Sequence, residues 1–79
     1  MYNLYIHIND GEPFVGEVDE MPDPKSSYVL INNPRQRDGK DLRMLLDEVT
    51  TILLPWWRIN YIEVMPTGEE EEVFTPFRD

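Results

Sequence analysis

From Tyr2 to Ile8 apolar and polar positions alternate, with Tyr2, Leu4, Ile6 and Ile8 on one side. A period of about two sustained over such a length predicts a half-buried β-strand. Asn9-Asp10-Gly11 follows, and Asp-Gly between alternating segments is a strong hairpin signal. Phe14, Gly16 and Val18 resume the alternation on a second strand, where Gly16 predicts a sharp bend or the close passage of another backbone. Asp19 to Ser27 holds two prolines and two serines and reads as a loop. Tyr28 to Asn32 is compact and rich in β-formers, which predicts a third strand covered in part on both faces. Asn33-Pro34 is expected to end it, because proline cannot donate to a ladder and restricts the residue before it.

The chain then changes character. Arg35 to Asp41 is polar and charged and reads as an exposed, mobile loop. Leu42, Leu45 and Leu46 suit either a short helix or the start of a strand. The β-branched run Val49-Thr50-Thr51-Ile52 favours a fourth strand from about Leu45. Pro55 interrupts the apolar run, Trp56-Trp57 follow, and Ile59 to Met65 forms a last strand stopped by Pro66-Thr67-Gly68. This divides the chain into a β domain over 1–66 and an acidic tail over 67–79. The run Glu69 to Glu72 reads as solvated, while Phe74 and Phe77 suggest that the tail docks. Five short strands with almost no helix bury their faces best as one sheet curled on itself, so the expected fold class is an all-β, five-stranded, strongly bent small barrel.

Composition narrows the chemistry. A chain of 79 residues makes one small domain whose core alone is marginal. Without cysteine and with one histidine, it has neither disulfides nor a thiolate or histidine-rich metal site, which leaves oligomerisation as reinforcement. The expected compartment is the cytoplasm. The opening residues lack the basic start of a signal peptide, and no apolar run approaches the length of a membrane helix. The formal charge of −9 opposes nucleic-acid phosphates and anionic membranes. Lys25, Arg35, Arg37, Lys40 and Arg43 nevertheless cluster in the middle of the chain.

The order of pieces resembles the Sm/LSm family. A first strand, a turn at Asp10-Gly11 and a strand centred on Val15-Gly16-Glu17-Val18 are similar to that family's opening. Tyr28 to Asn32 stands where its third strand stands, and Val49 to Leu54, Pro55-Trp56-Trp57 and Arg58 to Val64 are similar to its closing strand, tight turn and strand. The likeness covers roughly Tyr2 to Met65 and is nearest to divergent Sm-like proteins of marine phages and ocean metagenomes. The resemblance implies a homo-oligomeric ring of about five to seven subunits, joined through the fourth and fifth strands, in contact with single-stranded RNA or DNA. The chain departs from the family in two motifs. Met21 to Ser27 lacks the asparagine of the family's RNA loop, and Leu54 to Trp57 replaces the arginine-glycine pair of its tight turn. No N-terminal helix precedes the strand at Tyr2.

No residues are assigned to catalysis, a cofactor or a metal. His7 has no companion nucleophile, and Asp19, Glu20 and Asp23 match no calcium-loop spacing. The nucleic-acid candidates are Lys25 and Ser26, in the position of the family's RNA loop, with Arg35, Arg37, Lys40 and Arg58. Their ordinary alternative is pairing with Asp38, Asp41 and the tail, or plain solvation. Val49, Ile52, Trp56, Trp57, Ile59 and Tyr61 are the candidates for a subunit interface or for base stacking, with core packing as the commoner role of such residues. A second functional class stays open: a structural or adaptor oligomer, with phage origin as one option, that binds protein through its acidic surface.

Overall fold

The computed structural model describes residues 1–66, so the acidic tail lies outside the described residues. The chain folds into five antiparallel strands: β1 (Tyr2–Ile8), β2 (Phe14–Val18), β3 (Tyr28–Arg35), β4 (Thr51–Pro55) and β5 (Ile59–Val64). One 3₁₀ turn, η1 (Trp56–Arg58), joins the last two. The spatial order is β4-β3-β2-β1-β5, so the two strands that η1 joins are the two outer strands of the sheet. In a flat five-stranded sheet those strands would stand about 19 Å apart. A three-residue 3₁₀ turn rises only about 6 Å. The sheet therefore curls into a half-barrel, as the strand pattern predicts.

The alternation read from β1 is the alternation that is buried. Leu4, Ile6 and Ile8 point inward with Phe14, Val18, Val29, Ile31 and Leu54, and these eight form the core. Tyr2, Leu42, Ile52, Trp56, Ile59 and Ile62 pack against it from the rim. The bend is set at Gly16, where a Cβ would overlap the Ile31 side-chain methyl Cγ2 and also approach the Asn32 carbonyl. A side chain at that position would hold β2 and β3 apart.

Two expectations are corrected. Asn33-Pro34 does not end the third strand, which runs on to Arg35. Val15 pairs with Arg35 and Glu17 with Asn32, so β3 carries one residue more than β2 across this interval. Asn33 takes up the extra residue as a bulge with φ of 50°, a left-handed conformation that asparagine tolerates better than most residues. The bulge frees Pro34 from the ladder and turns its ring into the buried side. The fourth strand does not begin near Leu45. Its register with β3 ends at Asn32 opposite Thr51, and one more bond, from Asn33 N–H to the Thr50 carbonyl at 2.7 Å, closes the pairing at the bulge. Residues 42–50 instead form successive turns, closed by Leu45 N–H to Leu42 C=O and Val49 N–H to Leu46 C=O. Arg35 belongs to β3, and the exposed segment after it turns on two backbone hydrogen bonds of 2.8 Å, Gln36 N–H to the Lys40 carbonyl and Gly39 N–H to the Gln36 carbonyl.

Gly16→Ala is expected to lower the free energy of unfolding by about 1–3 kcal/mol through overpacking, read as a reduced urea midpoint. Gly11→Ala should cost less, because the atom it meets is the rotatable Cδ1 end of Ile8. Equal urea midpoints for the two variants would contradict this origin of the bend.

Candidate nucleic-acid interface

The short turn η1 gathers the loops around it. Trp56 donates its backbone N–H to the Ser27 carbonyl at 3.1 Å and its indole Nε1–H to the Asp23 carbonyl at 3.1 Å. On the other side, Asn9 donates its backbone N–H to the Arg58 carbonyl and its side-chain amide to the Trp57 carbonyl. The β2–β3 loop and the β1–β2 hairpin turn, which lie at opposite ends of β2, are thus fastened to one element. The β2–β3 loop is ordered further by Asp23, whose carboxylate accepts Lys25 N–H at 2.9 Å while its carbonyl also accepts Ser26 N–H.

This arrangement divides the six basic and polar candidates. Lys25 is exposed and Ser26 half-buried in the β2–β3 loop, at one end of β2. Arg35 is engaged on the outer face: its guanidinium reaches Glu17 at 3.5 Å and the Asn33 carbonyl at 2.7 Å, while Asn33 Nδ2 donates to the same carboxylate. Lys40 is exposed on a turn whose backbone Asp38 caps. Arg37 and Arg58 come together at the other end of β2. They line a groove of about 640 Å³ between the β1–β2 turn and the β3–β4 connection, and Arg43 lines it with them. The Arg58 guanidinium lies 5.9 Å from the Trp57 ring centroid, and its Nε is a buried donor without a hydrogen-bond partner among the described residues.

The six apolar and aromatic candidates divide as well. Ile52, Trp56 and Ile59 face the chain's own core. Val49 is half-buried in a turn. Trp57 is 74% exposed and Tyr61 53% exposed, so these two face outward. Tyr61 stacks on His7 with centroids 4.1 Å apart, and His7 meets Tyr5 edge-on at 4.8 Å. His7 Nε2 donates to the Glu63 carboxylate at 2.8 Å, across the β1–β5 ladder. Arg37 lies over Tyr5 with its guanidinium carbon 5.7 Å from the ring centroid. An aromatic row on the outer face of β1 and β5 therefore runs into the arginine groove. Sequence reading passed over Tyr5, because an amphipathic residue between two core positions carries no signal until β5 and the Arg37 turn are laid beside it.

Among the described residues, no three His, Asp or Glu side chains gather at metal-binding spacing. No helix among them is long and apolar enough to cross a membrane. No family model matches this chain, and comparison with curated proteins and with solved structures gives no match.

Trp56→Phe keeps most of the packing and removes the indole donor to Asp23. It should lower stability by about 0.5–1.5 kcal/mol in chemical denaturation. It should also speed amide exchange at Ser26 while that of Leu4 and Ile6 rises no more than global stability requires.

Proposed function

We propose that this chain is a non-enzymatic, Sm-like protein that assembles edge to edge into a ring and binds single-stranded RNA or DNA. The observation that carries the proposal is the state of the two outer strands. β4 pairs only with β3 and β5 only with β1 among the described residues, so both leave one side of the backbone ladder open. Open edges invite another strand, and one edge of each kind per copy makes a head-to-tail contact. Such a contact closes when the rotation per copy divides a full turn, and the curl supplies rotation; about five to seven copies is the expected ring.

Side chains beside the open edges favour the same reading. Leu53 on β4 is 60% exposed and stands in register with Leu30, which with Tyr28 continues an apolar outer face. Val64 leaves the inner face open at the far end of β5. A neighbouring copy laid along β4 would cover this surface. Single-stranded nucleic acid as ligand is supported by the exposed Lys25, Arg37 and Lys40 and by Arg58, on a body whose aromatic side chains also face outward. The reading goes with a cytoplasmic setting, in the host if the chain is of phage origin. The charge of −9 favours a second reading, an adaptor oligomer that takes a basic protein segment.

Light scattering at micromolar concentration tests the assembly. The expected result is a single species several protomers in mass, converted to monomer by Leu53→Lys or Val64→Lys with an unchanged circular dichroism spectrum. A monomeric wild-type protein would remove the ring. For the ligand, a labelled oligonucleotide should bind in dilute salt and be released as salt rises. If it does not bind while a basic peptide does, the second reading replaces the first.

A further inference from the structure

We infer that the groove between the β1–β2 turn and the β3–β4 connection is a nucleoside-phosphate site, with Tyr5 as its stacking surface and Arg37, Arg43 and Arg58 as its phosphate ligands. The inference rests on the nucleic-acid reading above and names the surface that would carry it. This surface differs from the Lys25 loop, which lies at the other end of β2.

Three features of the groove bear on its occupant. Its volume of about 640 Å³ falls within the range of small-molecule sites. Its arginines come from three separate stretches of chain: the turn after β3, the segment that follows it, and η1. They present guanidinium forks to one groove, and such forks match the oxygens of a phosphate. Arg58 adds a specific requirement. Its Nε–H is buried and unpartnered among the described residues, and a buried donor left unpaired costs about 1–3 kcal/mol. That atom has no surface open to a ligand, so a phosphate oxygen would instead meet the terminal guanidinium nitrogens in charge-assisted bonds.

A phosphate alone would not account for the remaining lining. Asp10, Glu12 and Asp38 also border the groove, so a bare anion would meet carboxylates as well as arginines. A nucleotide answers both signs. Its phosphate faces the guanidinium groups, and the exocyclic amino groups of cytosine, adenine or guanine are donors that carboxylates accept. Tyr5 completes the set with a flat ring. Arg37 already lies over that ring, and His7 and Tyr61 extend the aromatic row from it along the sheet. Stacking on tyrosine is tolerant of base identity, whereas the carboxylates select bases with amino groups over uracil and thymine.

The shared chemistry is a nucleoside phosphate, and its source is either a free nucleotide or one unit of a strand. Fluorescence anisotropy with labelled oligo-C, oligo-A and oligo-U, in parallel with AMP and CMP titrations followed by amide NMR, separates the sources. Oligo-C and oligo-A should bind more tightly than oligo-U. Tyr5→Leu should weaken oligonucleotide binding by about fivefold to a hundredfold, the range of one stacked base. Arg37→Gln and Arg43→Gln should each reduce the slope of log affinity against log salt by about 0.7. Arg58→Lys, which keeps the charge and removes the planar guanidinium fork, should weaken binding while the circular dichroism spectrum stays unchanged. Mononucleotide shifts centred on Tyr5 and Arg37 mark a free-nucleotide site, and binding of oligonucleotides alone marks a strand. If the groove variants bind like wild type and Lys25→Ala abolishes binding, the ligand belongs to the β2–β3 loop and the groove proposal fails alone. If no oligonucleotide or mononucleotide binds in dilute salt, the proposal fails together with the nucleic-acid reading.

Discussion

Ile31 passes so close to Gly16 that no side chain fits between them, and the shape of the barrel follows from that approach. With a β-carbon at position 16 the middle of β2 would stand off from β3, and the sheet would flatten. The bulge at Asn33 acts beside it, since an extra residue on one strand increases the local twist. The outer strands are then near enough for three residues to bridge them. Closure by so short a link is therefore a consequence of the bend, and the tryptophan turn exploits a gap already narrowed.

That turn in turn organises the surface. Trp56 faces inward and holds the β2–β3 loop through two hydrogen bonds, while the carbonyls of Trp57 and Arg58 hold the β1–β2 hairpin. Arg58 emerges from this junction with its Nε sealed from solvent. Its stem is half-buried, which distinguishes it from the exposed Lys25 and Lys40. One arginine of the groove thus comes from η1, and the β3–β4 connection supplies the others.

The strands with clean alternation were legible in the sequence. β1 and β2 begin and end where the pattern predicts, and β5 ends at Val64, one residue short of the predicted boundary. The glycine bend was legible too, because a lone glycine inside an apolar alternation has few other uses. The continuation of β3 was hidden. Asn33-Pro34 is a stop signal in isolation, and only the two-against-three count with β2 turns it into a bulge. The start of β4 was hidden for a related reason, since Leu45 to Thr50 has β-formers in part, yet of these only Thr50 meets β3, through its carbonyl at Asn33, and the residues before it fold into turns. Of the site, the arginines were visible as a cluster in sequence, yet the cluster does not survive folding as one. Arg35 turns to Glu17 across the β2–β3 ladder, a pairing that requires the register, and Arg58 joins from the far side of the chain. Tyr5 could be found only once its neighbours on β5 were known.

Adjacent in sequence, Trp56 and Trp57 occupy different surroundings, one packed on the core with its indole hydrogen-bonded and the other 74% exposed. The molecule therefore carries two optical reporters a single peptide bond apart. Light emitted by the first tracks whether the barrel is intact, and light emitted by the second tracks what approaches the turn from outside. A single emission trace superposes the two signals, and a quencher confined to water, which meets the exposed second ring far more often than the half-buried first, separates them.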